Sequence, residues 1–90
     1  MRIDKLDSKS ELINNYIGIR IRKFREISFT TAYVKHVRIV GDKENVLYLI
    51  QDEDDNAVCF LENEVLEKII PTISSSREEA LNKAKLVWEL

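Results

Sequence analysis

From Tyr16 to Arg22 the chain alternates, with isoleucine at 17, 19 and 21 and arginine at 20 and 22 of the stretch YIGIRIRKFR. Period two is the spacing of a strand with one dry and one wet face, so residues 16–22 predict a half-buried strand with Ile17, Ile19 and Ile21 in the core. Phe24 stands out of phase with the isoleucines, which predicts a bulge near Lys23 that swings the ring back inward. Ahead of this strand, Ser8 and Glu11 spell a capping box, and Leu12, Ile13, Tyr16 and Ile17 follow at helical spacing. A short helix over about 9–15 is expected there, released by Asn14 and Asn15, whose side chains tolerate left-handed backbone.

After Phe24 the pattern stays extended. Residues 29–40 are rich in Thr, Val, Ile and Tyr and predict a second, long strand. GDKEN at 41–45 is a turn, VLYLIQ at 46–51 a third strand, DEDDN at 52–56 a turn, and AVCFLE at 57–62 a fourth strand. Connections of about five residues join antiparallel neighbours, so these strands form a meander. EVLEKIIP reads either as a helical turn or as a short closing strand ended by Pro71. The last element is the clearest: Ser76 caps a helix over about 77–90, Glu79 completes its capping box, and Ala80, Leu81, Ala84, Val87 and Trp88 form one apolar stripe with Leu86 off it. Trp88 belongs to that stripe, which favours core packing over an exposed binding anchor.

The elements sum to an α+β fold in one domain of 90 residues. It has an antiparallel, four- to five-stranded curved sheet with the terminal helices on one face, or a small partly open barrel if EKII closes it as a fifth strand. A short N-terminal helix and a longer C-terminal helix flank the sheet. The apolar share of 44% is too high for intrinsic disorder, and no apolar run approaches the ~20 residues of a membrane span. A lone cysteine, Cys59, cannot form an internal disulfide, and no apolar signal-peptide stretch follows the N-terminus. A cytoplasmic protein that does not enter a membrane is the expectation.

Charge changes the picture more than composition does. The net charge is −2, yet residues 20–38 carry Arg20, Arg22, Lys23, Arg25, Lys35 and Arg38 against Glu26 alone. Residues 39–67 carry Lys43 against Asp42, Glu44, Asp52, Glu53, Asp54, Asp55, Glu62, Glu64 and Glu67. If the acidic strands lie beside the basic one, each cross-strand pair gains a few tenths of a kcal/mol and the charges are spent on one another. If they lie apart, both are candidate binding surfaces.

Most chemistries fall away. Gly18 and Gly41 are the only glycines, too few and too distant for a phosphate cradle. The single histidine, His36, sits between Lys35 and Arg38 and reads as a surface residue, whereas Cys59 inside AVCFL reads as a small buried hydrophobe. Asp52, Asp54 and Asn56 match the first three ligand positions of a calcium loop, but Ala57 stands where glycine is needed and Asn63 where the closing glutamate belongs. Glu62, Glu64 and Glu67 lack a cleft that would split their pKa values for acid/base work. No catalytic residue, metal ligand or cofactor is implied.

Three functions remain. The first is a small regulatory or adaptor protein, not an enzyme, that binds another protein through Arg20, Arg22, Lys23, Arg25, Lys35, His36 and Arg38 on one side and Asp42, Glu44, Asp52, Glu53, Asp54, Asp55, Glu62 and Glu64 on the other. The second is a nucleic-acid-binding β module that uses the basic residues 20–38, with Tyr33 or Tyr48 as stacking surfaces, against which the acidic segment argues. The third is a homo-oligomer in which basic and acidic patches of different copies meet.

Overall fold

A computed structural model describes the backbone of residues 5–88 and the side chains of residues 9–88. In chain order it contains α1 (Lys5–Leu12), β1 (Tyr16–Lys23), β2 (Glu26–Gly41), β3 (Val46–Asp52), β4 (Ala57–Leu61), α2 (Glu62–Glu64) and α3 (Arg77–Trp88). The four strands form one antiparallel sheet in the order β1-β2-β3-β4, curled into a half-barrel. The α+β meander predicted from the pattern is the observed fold.

The N-terminal helix starts earlier than its apolar spacing suggests, so Ser8 lies inside α1 and is no cap. It also ends earlier, at Leu12 and not near 15, but an asparagine does release it: Asn14 takes a left-handed φ of 64°, and the Asn15 side-chain amide donates to the Glu11 carbonyl at 2.8 Å. The chain is then tied to β2, because Asn14 N–H donates to Val34 O and Val34 N–H to Asn15 O. Both remaining sheet turns are built by an aspartate at their start. Asp42 Oδ1 accepts the N–H groups of Glu44 and Asn45, and Asp52 Oδ1 those of Asp54 and Asn56. These two carboxylates complete backbone turns that would otherwise leave donors unpaired.

A single apolar core fills the concave side: Leu12, Ile17, Ile19, Val34, Val37, Tyr48, Ile50, Phe60, Val65 and Ile69. On β2 the inward residues are Ala32 and Val34, then Val37 and Ile39, a change of phase made by an irregularity between Val34 and His36. The extra residue is Lys35, so the bulge lies there and not near Lys23.

Among the described residues no fifth strand closes the barrel. Residues 62–72 are helical, as α2, a π-helical turn Val65–Ile69 and a 3-10 turn Ile70–Thr72. The wide π turn buries Val65 and Ile69 together in the half-barrel. The segment ends against the free side of β1, where Tyr16 and Ser74 exchange backbone hydrogen bonds and Gly18 N–H donates to Thr72 Oγ1 at 2.8 Å.

From there α3 turns onto the face of β1 opposite the core. Ala80 and Ala84, both fully buried, lie over Gly18, so the two terminal helices do not share a face. The predicted stripe is the packed one, with Leu81, Val87 and Trp88 half-buried and Leu86 exposed; residues 89 and 90 of the predicted helix lie outside the described residues. Ser76 Oγ accepts the Glu79 N–H, but the box does not close, because Ser76 N–H donates to Ser74 Oγ. The Glu79 carboxyl is held below its ordinary range by hydrogen bonds from Lys83 and Ser74 and by the Lys83 charge. Among the described residues no helix is long and apolar enough to cross a membrane.

Candidate functional site

The strand ladder of β1 and β2 runs without interruption to Lys23 opposite Glu26. Only Phe24 and Arg25 are left to make the turn, a two-residue hairpin with Phe24 at φ 57°. Positive φ at the first central residue alone is the sign pattern of a type II′ turn, where glycine is the usual occupant. Phe24 therefore does not return to the core: it sits at the tip, 92% exposed. The tight turn also starts β2 at Glu26, three residues before the Phe29 that the β-branched composition suggests.

β3 covers β2 only as far as Val34, which pairs with Asp52. Residues 72–74 cover β1 only as far as Gly18. Beyond both limits the hairpin continues alone, as an arm of residues 20–29 with four paired positions and a tip. At ~3.4 Å per residue it projects by roughly 14 Å. Every residue of the arm is exposed except Phe29, which is half-buried at its root.

Isolation of the arm explains which part of the isoleucine alternation is dry. Ile17 and Ile19 lie in the core, while Ile21, opposite Ser28 on the arm, is 41% exposed. Ile27, opposite Arg22, is 58% exposed. Three large apolar side chains thus stand on an element that contributes nothing to the core. A two-stranded hairpin of this kind has little stability of its own. Its root is fixed by Arg20, whose guanidinium lies 4.9 Å from the Trp88 ring centre, with Lys68 at 5.9 Å.

The neighbours of the arginines are now identified. Arg20 faces Phe29, Arg22 faces Ile27 and Lys23 faces Glu26; the acidic strands are elsewhere in the sheet. Among the described residues the only ion pair is Lys83–Glu79 at 3.2 Å, so the predicted basic and acidic sets are not spent on one another. Arg22, Lys23 and Arg25 gather on the arm, whereas Lys35, His36 and Arg38 lie further along β2, with Lys35 over the Tyr33 ring at 5.5 Å. The Lys23–Glu26 turn borders an open, shallow depression around Phe24.

The acidic residues divide too. Asp52, Glu53, Asp54 and Asp55 form the β3–β4 turn, level with the root of the arm on its β2 side, where they line a groove with Tyr16, Tyr33 and Arg77. Asp42 and Glu44 occupy the opposite end of the sheet, beside Glu62. Glu64 lies in α2. Between the two ends runs β4, the outer strand, whose free side carries no further strand among the described residues.

Cys59 is exposed on the outer face of β4, not buried as its apolar neighbours suggest, because only Phe60 of that strand turns fully inward. His36 shares the outer face, opposite Gln51 and so two strands and two ladder positions from Cys59. Strand spacing of ~4.8 Å puts the two roughly 12 Å apart, too far for a base to take the thiol proton. Among the described residues no three His, Cys, Asp or Glu side chains are grouped to hold a metal ion.

Residue spacing left one signal of the arm unused: RKFRE holds neither glycine nor asparagine, yet a turn there is what aligns Ile21 with Ser28 and Ile19 with Thr30. No family model matches the chain, and no curated protein or solved structure does either, so what the arm does has to follow from its own geometry and charge.

Proposed function

We propose that this is a non-enzymatic regulatory or adaptor protein of the cytosol that binds a partner protein through the arm at residues 20–29. The observation that carries this reading is Phe24: a phenyl ring held almost wholly in water, at a backbone angle that costs a bulky residue of order 1–3 kcal/mol, is a liability for folding. Ile21 and Ile27 extend the exposed apolar surface down both faces of the arm, and Arg22, Lys23 and Arg25 surround it with cations that form no ion pair among the described residues. Such a surface fits a protein that offers an apolar pocket rimmed by carboxylates. Branched isoleucines present no flat ring to a base, and the 52–55 turn at the root repels a polyanion, which ranks a protein above a nucleic acid. A single exposed thiol suits a reducing compartment.

Phe24→Gly separates binding from folding. Glycine accepts the turn geometry without strain and Phe24 buries nothing, so stability should rise by about 0.5–1 kcal/mol in denaturant unfolding. Retention of the partner from a cell extract should fall at least tenfold, which is about 1.4 kcal/mol. A set of retained proteins that is the same for the wild type and for Phe24→Gly would sink the reading.

The cations themselves favour a second reading, nucleic-acid binding, because Arg22, Lys23 and Arg25 flank an aromatic tip able to wedge between bases. Three phosphate contacts imply an affinity that falls about as the 2.7th power of salt concentration on duplex DNA. Fluorescence titration of a labelled duplex and a single strand at two salt concentrations checks it. Absence of saturable binding at low salt removes the second reading and leaves the first.

A further inference from the structure

The sheet has two free edges of opposite charge. One is the β1 side of the arm. Backbone groups of an edge strand face alternately inward and outward, and Tyr16 and Gly18 already direct theirs at residues 72–74. The next outward-facing groups in the row are those of Arg20 and Arg22, which have no ladder partner on that side among the described residues. This edge is lined by Arg20, Arg22, Lys23 and Arg25 against Glu26.

The other edge is β4. Residues 52–64 contain six carboxylates and no cation, with Asp52, Glu53, Asp54 and Asp55 before the strand and Glu62 and Glu64 after it. Protected edges carry lysine, proline or a bulge, and AVCFL has none of these. It shows Leu61 and the half-covered Val58 to water.

We propose that β4 of one copy adds, in antiparallel sense, to the free edge of β1 at Arg20 and Arg22 of a second copy. That sense sets the 52–55 turn of the first copy against Lys23 and Arg25 of the second. The occupant is inferred from the complementary charge and from the matched lengths, a four-residue open stretch of β1 and a five-residue β4. The contact is heterologous: each copy offers a basic edge and an acidic edge, so copies add head to tail. The inference rests on reading the arm as a docking element, and it names a second copy as the occupant of one edge.

Light scattering of the full chain across a concentration series is the test. In low salt the average mass should at least double as concentration rises, and it should return to the monomer in molar salt, where the screening length falls to about 3 Å. Arg22→Glu/Arg25→Glu, with an acidic arm, and Glu53→Lys/Asp54→Lys, with a basic turn, should each be monomeric alone. Their equimolar mixture should associate again, because the acidic arm of one meets the basic turn of the other. All four positions are exposed, and circular dichroism confirms folding of each variant. A wild type that stays monomeric in low salt overturns the inference, as does association of either variant alone or a mixture that remains monomeric. If the wild type is monomeric while Phe24→Gly still loses its foreign partner, this inference falls and the proposed function stands. If the charge-swapped mixture associates and capture is indifferent to Phe24, the copy is the arm's occupant and the foreign partner is discarded.

Discussion

Replacing Gly18 by alanine is expected to destabilise the fold by about 3 kcal/mol, the upper end of what overpacking costs. For a chain of this size that lowers the thermal midpoint by on the order of 15 °C. A methyl group at this position would lie 2.5 Å from the carbonyl oxygen of Ala80 and inside contact distance of the Ala84 side chain. A flexible side chain could turn aside, but a helix carbonyl cannot, so α3 as a whole has to back away from β1. Gly18 has no left-handed φ, so alanine fits the strand backbone and should by itself favour it. Any loss is then the steric effect of the helix approach. Thermal unfolding measures the size of the loss, and tryptophan emission locates it. Trp88 packs on the core from the end of α3, so a lifted helix shifts its emission to the red before the sheet melts. A midpoint within a degree or two of the wild type would mean that α3 does not sit where Gly18 places it.

Much of this fold was legible because burial follows periodicity wherever a strand has something to lie against. β3 and β4 fall within a residue of the alternating pattern, and α3 buries the stripe that its spacing marks. Failure begins where covering ends. Ile21 continues the period of Ile17 and Ile19, but no element lies across from it, so the same spacing gives an exposed residue. Periodicity reports that two residues share a face; it does not say whether that face is roofed. The Phe24 turn was hidden for a different reason, since a bulky residue at positive φ has no compositional signature. The bulge at Lys35 was hidden by a β2 sequence in which apolar residues follow one another closely enough to fit either phase.

The charge map shows how far local misreadings travel. Segregation along the sequence was plain, and the open issue was whether cations and carboxylates meet in space. Strand order decides it: β1 pairs with β2 and not with β3 or β4, and β2 sets Ile27 and Phe29 opposite Arg22 and Arg20. The Phe24 turn sets which arm residues face one another, and the position of β1 at the sheet edge keeps its cations away from the acidic strands. Charge alone marks the residues of the candidate site as two sets, while their division into arm, bulge and turns depends on backbone geometry at two positions.

Thr72→Val is expected to cost about 2 kcal/mol, within the range for stranding a buried polar group. The Thr72 side chain is fully buried, and its hydroxyl does two things: it accepts the Gly18 N–H at 2.8 Å and donates to the Ile69 carbonyl at 2.7 Å. A hydroxyl has one proton, so the 3.5 Å approach to Gly18 O is a contact and not a second donation. Valine keeps nearly the same volume, which leaves the packing intact and removes both hydrogen bonds. Thr72→Ser does the reverse, keeping the hydroxyl and losing a methyl group worth ~0.8 kcal/mol of burial. Serine should therefore be the milder change, although it creates the larger void. If denaturant unfolding ranks valine above serine, the hydroxyl is not what fastens residues 72–74 to β1. Amide exchange tests the same bond at its donor. In the valine variant the Gly18 amide should lose protection, while those of Ile17 and Ile19, which point across the ladder to β2, should keep theirs. That contrast follows from where the Gly18 N–H points, away from the sheet and along the edge that the arm carries, still open, beyond the body of the protein.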